Sequence, residues 1–167
     1  EVQALVDFLG TRLDGLAVTG VDLGSISVLK TFNPPPQALI GAPVTGVTRH
    51  GKFVDIDCGG THLIFHLARA GWLRWSDALP QTVIRPGKSP IALRVRLDDG
   101  SGFDLTEAGT RKRLAAYIVN SIADVPGIQT LGPDPLSDDF TLERFAAILA
   151  GQRVQLKGLL RNQGTIG

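Results

Sequence analysis

Residues 46–75, GVTRHGKFVDIDCGGTHLIFHLARAGWLRW, are the stretch around which the rest of the chain is organised. Apolar residues recur in it at nearly every second position, which is the period of strands with one buried face. Gly59-Gly60 separates two alternating segments and forms a good two-residue turn, so we predict a β-hairpin from Lys52–Cys58 and Thr61–Leu67. Lys52 stands out at the predicted start of the first strand. Its simpler interpretation is a solvated basic strand end, and any functional role depends on the rest of the chain.

Outward from this hairpin, the periodicity predicts a β-rich body preceded by one helix. Apolar residues from Val2 to Leu13 recur at helical spacing, and Gly15 follows as a stop signal, which predicts an amphipathic helix packed on a core. The other predicted elements are a strand over Val18–Leu29, a short helix over Gln37–Ile40, and strands over Gly71–Trp75, Ile91–Leu97, Phe103–Leu105 and Ala115–Val119.

Composition restricts the possible classes of protein. A chain of 167 residues is long enough for one domain with a sizeable core, or for one domain and part of another. The net charge of +1 means that a nucleic-acid surface would have to come from clustered charge. The single cysteine, Cys58, excludes a disulfide framework or a cysteine-based zinc site within the chain, and we interpret it as a small buried strand residue.

Neither a membrane-spanning apolar run nor a signal peptide is visible in the sequence, so we expect a soluble protein of the cytoplasm or nucleoid. The chain begins at Glu1 without a methionine and stops at Gly167 without a helix-ending signal. We therefore expect both ends to be cuts within a longer protein.

Basic residues outside the hairpin have two interpretations. Arg94 and Arg96 share one face of a predicted strand and are interpreted as solvated. The segment Pro80–Pro90, which carries Arg85 and Lys88, is interpreted as an exposed loop. Thr110–Leu114 contains three consecutive basic residues that repel one another, so it is either a solvated charge run or a turn that presents cations to an anion.

The character of the sequence changes after Leu131. Gly132-Pro133-Asp134-Pro135 is interpreted as a linker, and Ser137-Asp138-Asp139 as the start of a helix that continues to Gly151. A second helical stretch, Val154–Leu160, is basic. Its cations and those flanking it are Arg153, Lys157 and Arg161.

Four segments, taken in order, resemble the formamidopyrimidine-DNA glycosylase and endonuclease VIII family of base-excision repair enzymes. Glu1–Leu5 resembles the end of the family's N-terminal signature, and Arg49–Phe53 resembles its strand with a functional lysine. His66-Leu67 followed by Gly71–Arg74 resembles its His-Leu-Gly-Met region. The segment from Leu131 to Leu160 resembles the entry into its helix–two-turns–helix DNA-binding module.

The resemblance implies a bifunctional reaction. In that family a terminal proline attacks the sugar of a flipped-out damaged nucleotide, a Schiff base forms, the base leaves, and elimination cuts the strand. The lysine that matches Lys52 assists at the site, so Lys52 becomes our first functional candidate. If Glu1 aligns as above, the proline and its neighbouring glutamate precede this chain, and we expect the chain by itself to be inactive.

The resemblance also indicates which residues contact DNA, and where the chain departs from the family. The void-filling methionine of the family falls at Arg69, and its Asp-Pro-Arg-Arg-Phe loop falls near Thr110–Leu114. We therefore list Arg69, Arg113 and Leu114 as candidates for filling the gap left by an extruded base. The candidate DNA-binding residues are Arg49, His66, Arg69, Arg111, Lys112, Arg113, Lys157 and Arg161. No metal ligand is predicted, and the zinc finger common in the family would belong to a C-terminal part of the longer protein.

Together, the pattern and the resemblance predict an α+β fold. Its body, residues 1–130, is an antiparallel two-sheet β-sandwich with a flanking N-terminal helix. Residues 131–167 are the beginning of the DNA-binding module. The predicted function is a DNA glycosylase and AP lyase that removes oxidised bases from double-stranded DNA as a monomer, without membrane association. The alternatives are a non-catalytic paralogue that binds damaged or AP-site DNA, and a purely structural β-domain. Lesion specificity and opposite-base preference are open.

Overall fold

The computed structural model describes residues 1–87, 89–108 and 110–167, and in it eight strands form two four-stranded antiparallel sheets. The first sheet has the order β1-β6-β7-β5 and the second the order β2-β3-β4-β8. The strands are β1 Val18–Leu23, β2 Gly46–His50, β3 Phe53–Cys58, β4 Thr61–His66, β5 Gly71–Ser76, β6 Ile91–Leu97, β7 Gly102–Glu107 and β8 Ala115–Val119. The helices are α1 Val2–Leu13, α2 Pro126–Gln129, α3 Leu142–Leu149 and α4 Leu156–Leu160. The predicted α+β sandwich with its N-terminal helix is confirmed.

The core lies between the sheets and is closed on one side by α1. Val6, Leu9 and Leu13 of the helix are buried on one stripe, as their helical spacing predicts. They belong to the same apolar cluster as Phe65 and Phe103, one from each sheet, whose ring centroids are 6.3 Å apart. Because residues from the inner faces of both sheets and from α1 pack in this one cluster, its burial holds the two sheets and the helix together.

The central hairpin forms as predicted, but Lys52 is not in a strand. Cys58 pairs with Thr61 across Gly59-Gly60, whose φ values of +65° and +95° suit glycine. His50 likewise pairs with Phe53, so Gly51 and Lys52 form a second two-residue turn, and Gly51 has a φ of +56°. The strand interpretation of Lys52 was wrong because the alternation of apolar residues continues on both sides of this turn.

The prediction that Arg94 is solvated was also wrong. Arg94 is 4% exposed, and its Nε and a terminal nitrogen bind the two oxygens of Asp104 at 2.6 and 2.8 Å. The same guanidinium donates to the carbonyl oxygens of Pro80 and Thr82, at 3.1 and 3.2 Å. The Pro80–Pro90 segment therefore covers this face of the first sheet, although its residues Gln81, Thr82 and Val83 remain exposed. Lys88 lies outside the described residues.

Several predicted elements are shorter than the sequence indicated. Strand β1 ends at Leu23 because the amides of Gly24 and Ser25 both bind the Ala92 carbonyl oxygen, at 2.9 and 3.2 Å, and this bends the chain. A 3₁₀ turn at Ile26–Val28 follows, and the predicted short helix near Gln37 is a 3₁₀ turn at Pro36–Leu39.

The C-terminal helices also begin later than predicted. Helix α3 starts at Leu142, since Thr141 is the residue whose hydroxyl accepts the Arg144 amide at 3.2 Å. Ser137 instead begins a turn, in which its carbonyl oxygen accepts a hydrogen bond from the Phe140 amide at 2.9 Å. Helix α4 covers only Leu156–Leu160 of the predicted stretch. Within the described ranges, no helix has the length and apolar character needed to cross a membrane.

Candidate nucleic-acid interface

One end of the sandwich collects most of the predicted site residues of the β-body. The pairing of Val54 with Phe65 and of His66 with Ala115 places the Lys52 turn, the end of β4 and the start of β8 side by side. Leu67–Ala70 leaves from this end of β4. The pairing of Gly71 with Glu107 brings the segment after β7 to the same place. Three connections therefore meet at one edge, and each carries cations.

Lys52 is exposed on a turn that protein contacts hold in place. One terminal nitrogen of Arg49 donates to the Gly51 carbonyl oxygen at 3.0 Å, and its Nε donates to Gln3 Oε1 at 3.1 Å. Its other terminal nitrogen pairs with the Asp134 carboxylate. Burial raises the pKa of that carboxyl, but the Leu136 amide and Arg49 outweigh burial, so the pKa of Asp134 is lowered.

The Arg49 side chain is largely enclosed by protein contacts, and its prediction as a DNA contact stays a prediction. Its side chain is 10% exposed, and its donors already bind helix α1, the Lys52 turn and the linker. The physical reason is that Asp134, a residue of the predicted linker, reaches back to the β-body. Arg49 acts as a clamp between the body and the start of the helical section.

The Lys52 turn is also packed tightly against the linker. A Cβ at Gly51 would lie 2.9 Å from Leu131 Cδ2 and 2.9 Å from Gln163 Nε2. The linker and the C-terminal segment are joined by hydrogen bonds from Gly132 N to Gln163 O, at 2.7 Å, and from Gly167 N to Pro133 O, at 3.0 Å. The position of Lys52 is thus coupled to both ends of the helical section.

His66 lies half-buried at the same edge. Its ring meets Phe53 edge to face, with the ring centroids 5.2 Å apart. Burial is the main cause that lowers the pKa of His66; Glu107 opposes it, while Lys30 and Lys52 lower the pKa further. An anion that approached the ring would act in the opposite direction and raise the pKa of His66 again.

A buried acid organises the basic loop that precedes β8. Glu107 is 2% exposed, and its Oε1 accepts the backbone amides of Arg113 and Leu114 at 2.6 and 3.0 Å. Lys112 Nζ donates to the Glu107 carbonyl oxygen. The side chains of Arg111, Lys112 and Arg113 are exposed, so the loop is a turn that presents cations. Gly109 lies outside the described residues.

Leu114 does not fit its predicted role as a wedge into DNA. It is 3% exposed and belongs to the main core cluster. Since its amide is fixed by Glu107, the side chain is directed inward at the point where the loop enters β8.

Arg69 lies in the tight connection between β4 and β5. Ala68 has a φ of +55°, and Gly71 N donates to Leu67 O at 2.9 Å. A Cβ at Gly71 would lie 2.1 Å from the Leu67 oxygen, so only glycine fits there. Positive φ at a non-glycine residue is costly and is often found at functional loops. The amide of Ala108 binds Ala70 O at 3.1 Å, which ties this connection to the basic loop.

The remaining candidates lie on the helical section. Lys157 is exposed on α4, and Arg161 is exposed at its C-terminal cap. Leu159 anchors the helix as its buried residue. The assignment of these two cations as DNA contacts stays a prediction.

Sequence reasoning missed three residues that organise the site: Gln3, Glu107 and Asp134. None is marked by periodicity, because each acts through a polar contact with a residue outside its own strand, helix or loop. Another acid, Asp55, is buried on the outer face of the second sheet, where it binds His50 Nε2 at 3.1 Å and His62 Nδ1 at 2.9 Å. Among residues 1–87, 89–108 and 110–167, no group of three or more potential ligands is arranged to hold a metal ion.

Comparison with known proteins identifies the family. The family model described as the formamidopyrimidine-DNA glycosylase N-terminal domain matches residues 1–116. The chain belongs to this family. Formamidopyrimidine-DNA glycosylases of Sphingopyxis alaskensis and Moorella thermoacetica are each 32% identical to it, over 99% and 98% of the chain and 58% and 59% of their own lengths.

Solved structures of the family share the fold. A Lactococcus lactis formamidopyrimidine-DNA glycosylase bound to DNA containing FAPY-dG has a TM-score of 0.82 and 21% identity, and the match covers 99% of this chain and 61% of that one. The enzyme from the same organism bound non-covalently to AP-site DNA has a TM-score of 0.81 and 21% identity, over 100% of this chain and 63% of that one. The glycosylase-family chain thus spans about three fifths of the length of these relatives.

Proposed function

We propose that the protein is a DNA glycosylase and AP lyase of base-excision repair that acts on oxidised bases in double-stranded DNA. The observation that carries the proposal is the exposed Lys52 on a clamped turn, at the edge where His66 and the basic loop also lie. Family membership supplies the reaction class, and the arrangement of these residues suits a site for an anionic, extruded nucleotide.

The proposed roles follow from the contacts. The bond from Arg49 to Gln3 places the beginning of α1 next to the Lys52 turn. A proline nucleophile preceding Glu1, as in the family, would therefore lie close to Lys52. In this proposal Lys52 binds a phosphate or stabilises the leaving group, and His66 binds a phosphate once it is protonated. The clamp of Arg49 and Asp134 keeps Lys52 in position.

We propose that the partner is damaged duplex DNA, bound by a monomer. Arg69, Arg111 and Arg113 would contact the backbone or fill the gap at the lesion, with Lys157 and Arg161 as further phosphate contacts. No metal is assigned to residues 1–167, and a zinc finger like that of the family would be supplied by a further segment. The division into a body, 1–130, and a DNA-binding module from 131 onward is part of the same proposal.

The experiment is borohydride trapping of a covalent complex with AP-site DNA. Because the aligned proline precedes Glu1, we expect residues 1–167 alone to give no trapped complex. Addition of a Pro-Glu-Leu-Pro leader and the C-terminal remainder of a family member should restore trapping. Efficient trapping by residues 1–167 would contradict the alignment of Glu1.

A second candidate function is binding of damaged DNA without cleavage, for which the exposed cations of the basic loop would be sufficient. The gene sequence upstream of the Glu1 codon separates the two candidates. A Met-Pro-Glu start supports the enzyme, and a different start supports the binding protein.

A further inference from the structure

The structure leaves one large aromatic residue exposed at the edge that carries the cations. Trp72 is 70% exposed, whereas Phe65 and Phe103 are fully buried. It is the second residue of β5, the edge strand of the first sheet. Its pairing with Thr106, next to that of Gly71 with Glu107, puts it at the same end of the sandwich as the basic loop.

The other tryptophan, Trp75, is packed and hydrogen-bonded and serves as a comparison. Trp75 is half-buried and donates from Nε1 to Asp77 Oδ1 at 2.8 Å. Its ring meets Phe8 edge to face at 6.0 Å, and Arg12 lies over it at 5.6 Å. Trp72 has the opposite orientation on the strand, so its ring faces solvent.

Single exposed apolar residues are common on protein surfaces and need no explanation by themselves. Trp72 differs because exposed cations flank it along the chain. Arg69 and Arg74, which precede and follow it by a few residues, are both exposed. The hydrogen bond from Ala108 N to Ala70 O joins the connection before β5 to the segment that leads into the basic loop, whose cations are also exposed.

The nearby acids do not neutralise these cations, because each is engaged inside the fold. Asp104, which pairs with Arg74 across the strands, has both carboxylate oxygens bound by Arg94. Glu107 is buried and accepts backbone amides of the basic loop. Trp72 is therefore an exposed aromatic ring flanked along the chain by exposed cations, and surfaces that bind unstacked nucleic-acid bases combine these two kinds of residue.

We infer that Trp72 is a stacking platform for a DNA base that has lost its stacking partner at an abasic or extruded position. This inference rests on the proposed function and adds a base contact to it. Leu114, at the place where the family has a phenylalanine, is buried in the core, so the exposed aromatic surface at this edge comes from β5 instead. Stacking would be insensitive to the identity of the base, since every base has an aromatic face.

Two single-tryptophan variants test the contact directly, since the chain has two tryptophans. With Trp75→Phe, Trp72 is the only tryptophan; with Trp72→Phe, Trp75 is the only tryptophan and serves as the matched control. We expect saturating AP-site duplex to quench the emission of Trp72 more strongly than undamaged duplex does. The emission of Trp75 should stay the same with both duplexes.

Affinity provides the second measurement. Trp72→Ala should weaken binding to AP-site duplex by about 5- to 100-fold, the range expected for the loss of one base–aromatic stack, and Trp72→Phe should weaken it less. Phe32→Ala is the control, because Phe32 is a comparably exposed aromatic, 77%, that follows Thr31 towards the opposite end of β8. It should bind as the unmodified protein does.

Several outcomes would overturn the inference. Unchanged Trp72 emission at saturation, or equal affinities of Trp72→Ala and the unmodified protein for AP-site duplex, would overturn it and leave the proposed function standing. Loss of self-association in Trp72→Ala, with DNA binding intact, would assign the residue to a contact between copies of the chain. If the unmodified protein bound no duplex, the proposed function would fail and the inference with it.

Discussion

In the sequence, strand β7 lies between Arg94 on one side and the arginines of the basic loop, Arg111 and Arg113, on the other. The fold anchors the two groups in opposite ways. At Arg94 the fold binds the side chain: the guanidinium is enclosed by Asp104 and by the carbonyl oxygens of the loop above it. At Arg113 the fold binds the backbone: Glu107 accepts the amide, and the side chain is exposed. A cation is available for a ligand where its main chain is anchored, and it is structural where its charged group is anchored.

The largest expected effect is on stability, at Arg94. Arg94→Met should lower the free energy of unfolding by about 3–5 kcal/mol, because removal of one partner leaves the Asp104 carboxylate nearly enclosed and unpaired. Chemical denaturation followed by circular dichroism measures this loss. Arg111→Met is the matched control and should change stability by less than about 0.5 kcal/mol. Similar losses for the two variants would remove the contrast between the two groups of arginines.

The next effect separates the anchor of the basic loop from its cations. Glu107→Ala removes the acceptor of one buried and one part-buried amide, which should cost about 1–3 kcal/mol, and it leaves every arginine in place. Hydrogen exchange at the amides of Arg113 and Leu114 should become faster, and affinity for AP-site duplex should fall. If exchange at these amides stayed slow, Glu107 would not be the residue that orders the loop.

Arg113 tests whether an exposed cation serves DNA specifically. Arg113→Ala should weaken binding to AP-site duplex by roughly tenfold, and binding to undamaged duplex by less, since a residue that fills a gap is engaged only when a nucleotide is missing or extruded. The unfolding free energy should change little, as expected for a surface substitution. Binding isotherms on the two duplexes measure the difference. Equal losses on both would make Arg113 an ordinary phosphate contact.

The smallest effect concerns pH and His66. The pKa of His66 is lowered in the free protein, mainly by burial. Between this lowered pKa and the ordinary value the unfolded chain binds more protons, so stability should fall as the pH falls through that window. A phosphate near the ring would favour protonation, so DNA affinity should rise over the same window, by at most about tenfold per unit of pKa change.

The variants His66→Gln and His62→Gln, measured between neutral and mildly acidic pH, check this pH dependence. His66→Gln should abolish the rise in affinity. His62→Gln, which changes a histidine bound to Asp55 away from the cluster, should retain it. A rise that persists in His66→Gln would exclude His66 as its source.

Local signals predicted the fold well and the site only in part. Gly59-Gly60 and the helical stripe of α1 act through neighbours in the sequence, so their patterns were sufficient. Lys52 was placed in a strand because Gly51-Lys52 interrupts the alternation by a turn of two residues, which preserves the period. Ser137 and Thr141 are both capable helix caps, and only the contacts of the linker decide between them.

The contacts that the sequence did not predict for Arg49, Arg94 and Leu114 share a different cause. Each depends on a specific polar partner outside its own strand: Asp134 for Arg49, the Pro80 and Thr82 carbonyl groups for Arg94, and Glu107, seven residues away, for the amide of Leu114. Sequence pattern records which residues are charged or apolar, but it does not record which of their atoms will be bound. The exposed Trp72 has the same origin, because periodicity alone interprets a strand tryptophan as a core or rim residue.

The central claim is that the clamped turn presents Lys52 to DNA, and one substitution tests it most directly. In the protein with its Pro-Glu-Leu-Pro leader and C-terminal remainder, Lys52→Ala should reduce single-turnover base excision by roughly 100-fold. Stability should change by less than about 0.5 kcal/mol, because an exposed cation contributes little to folding, and affinity for AP-site DNA should be largely retained. Arg85→Ala, which removes an exposed cation that is not among the candidate DNA contacts, is the control and should excise at the unmodified rate. An unchanged excision rate in Lys52→Ala would contradict the account and return Lys52 to the role of a solvated turn residue.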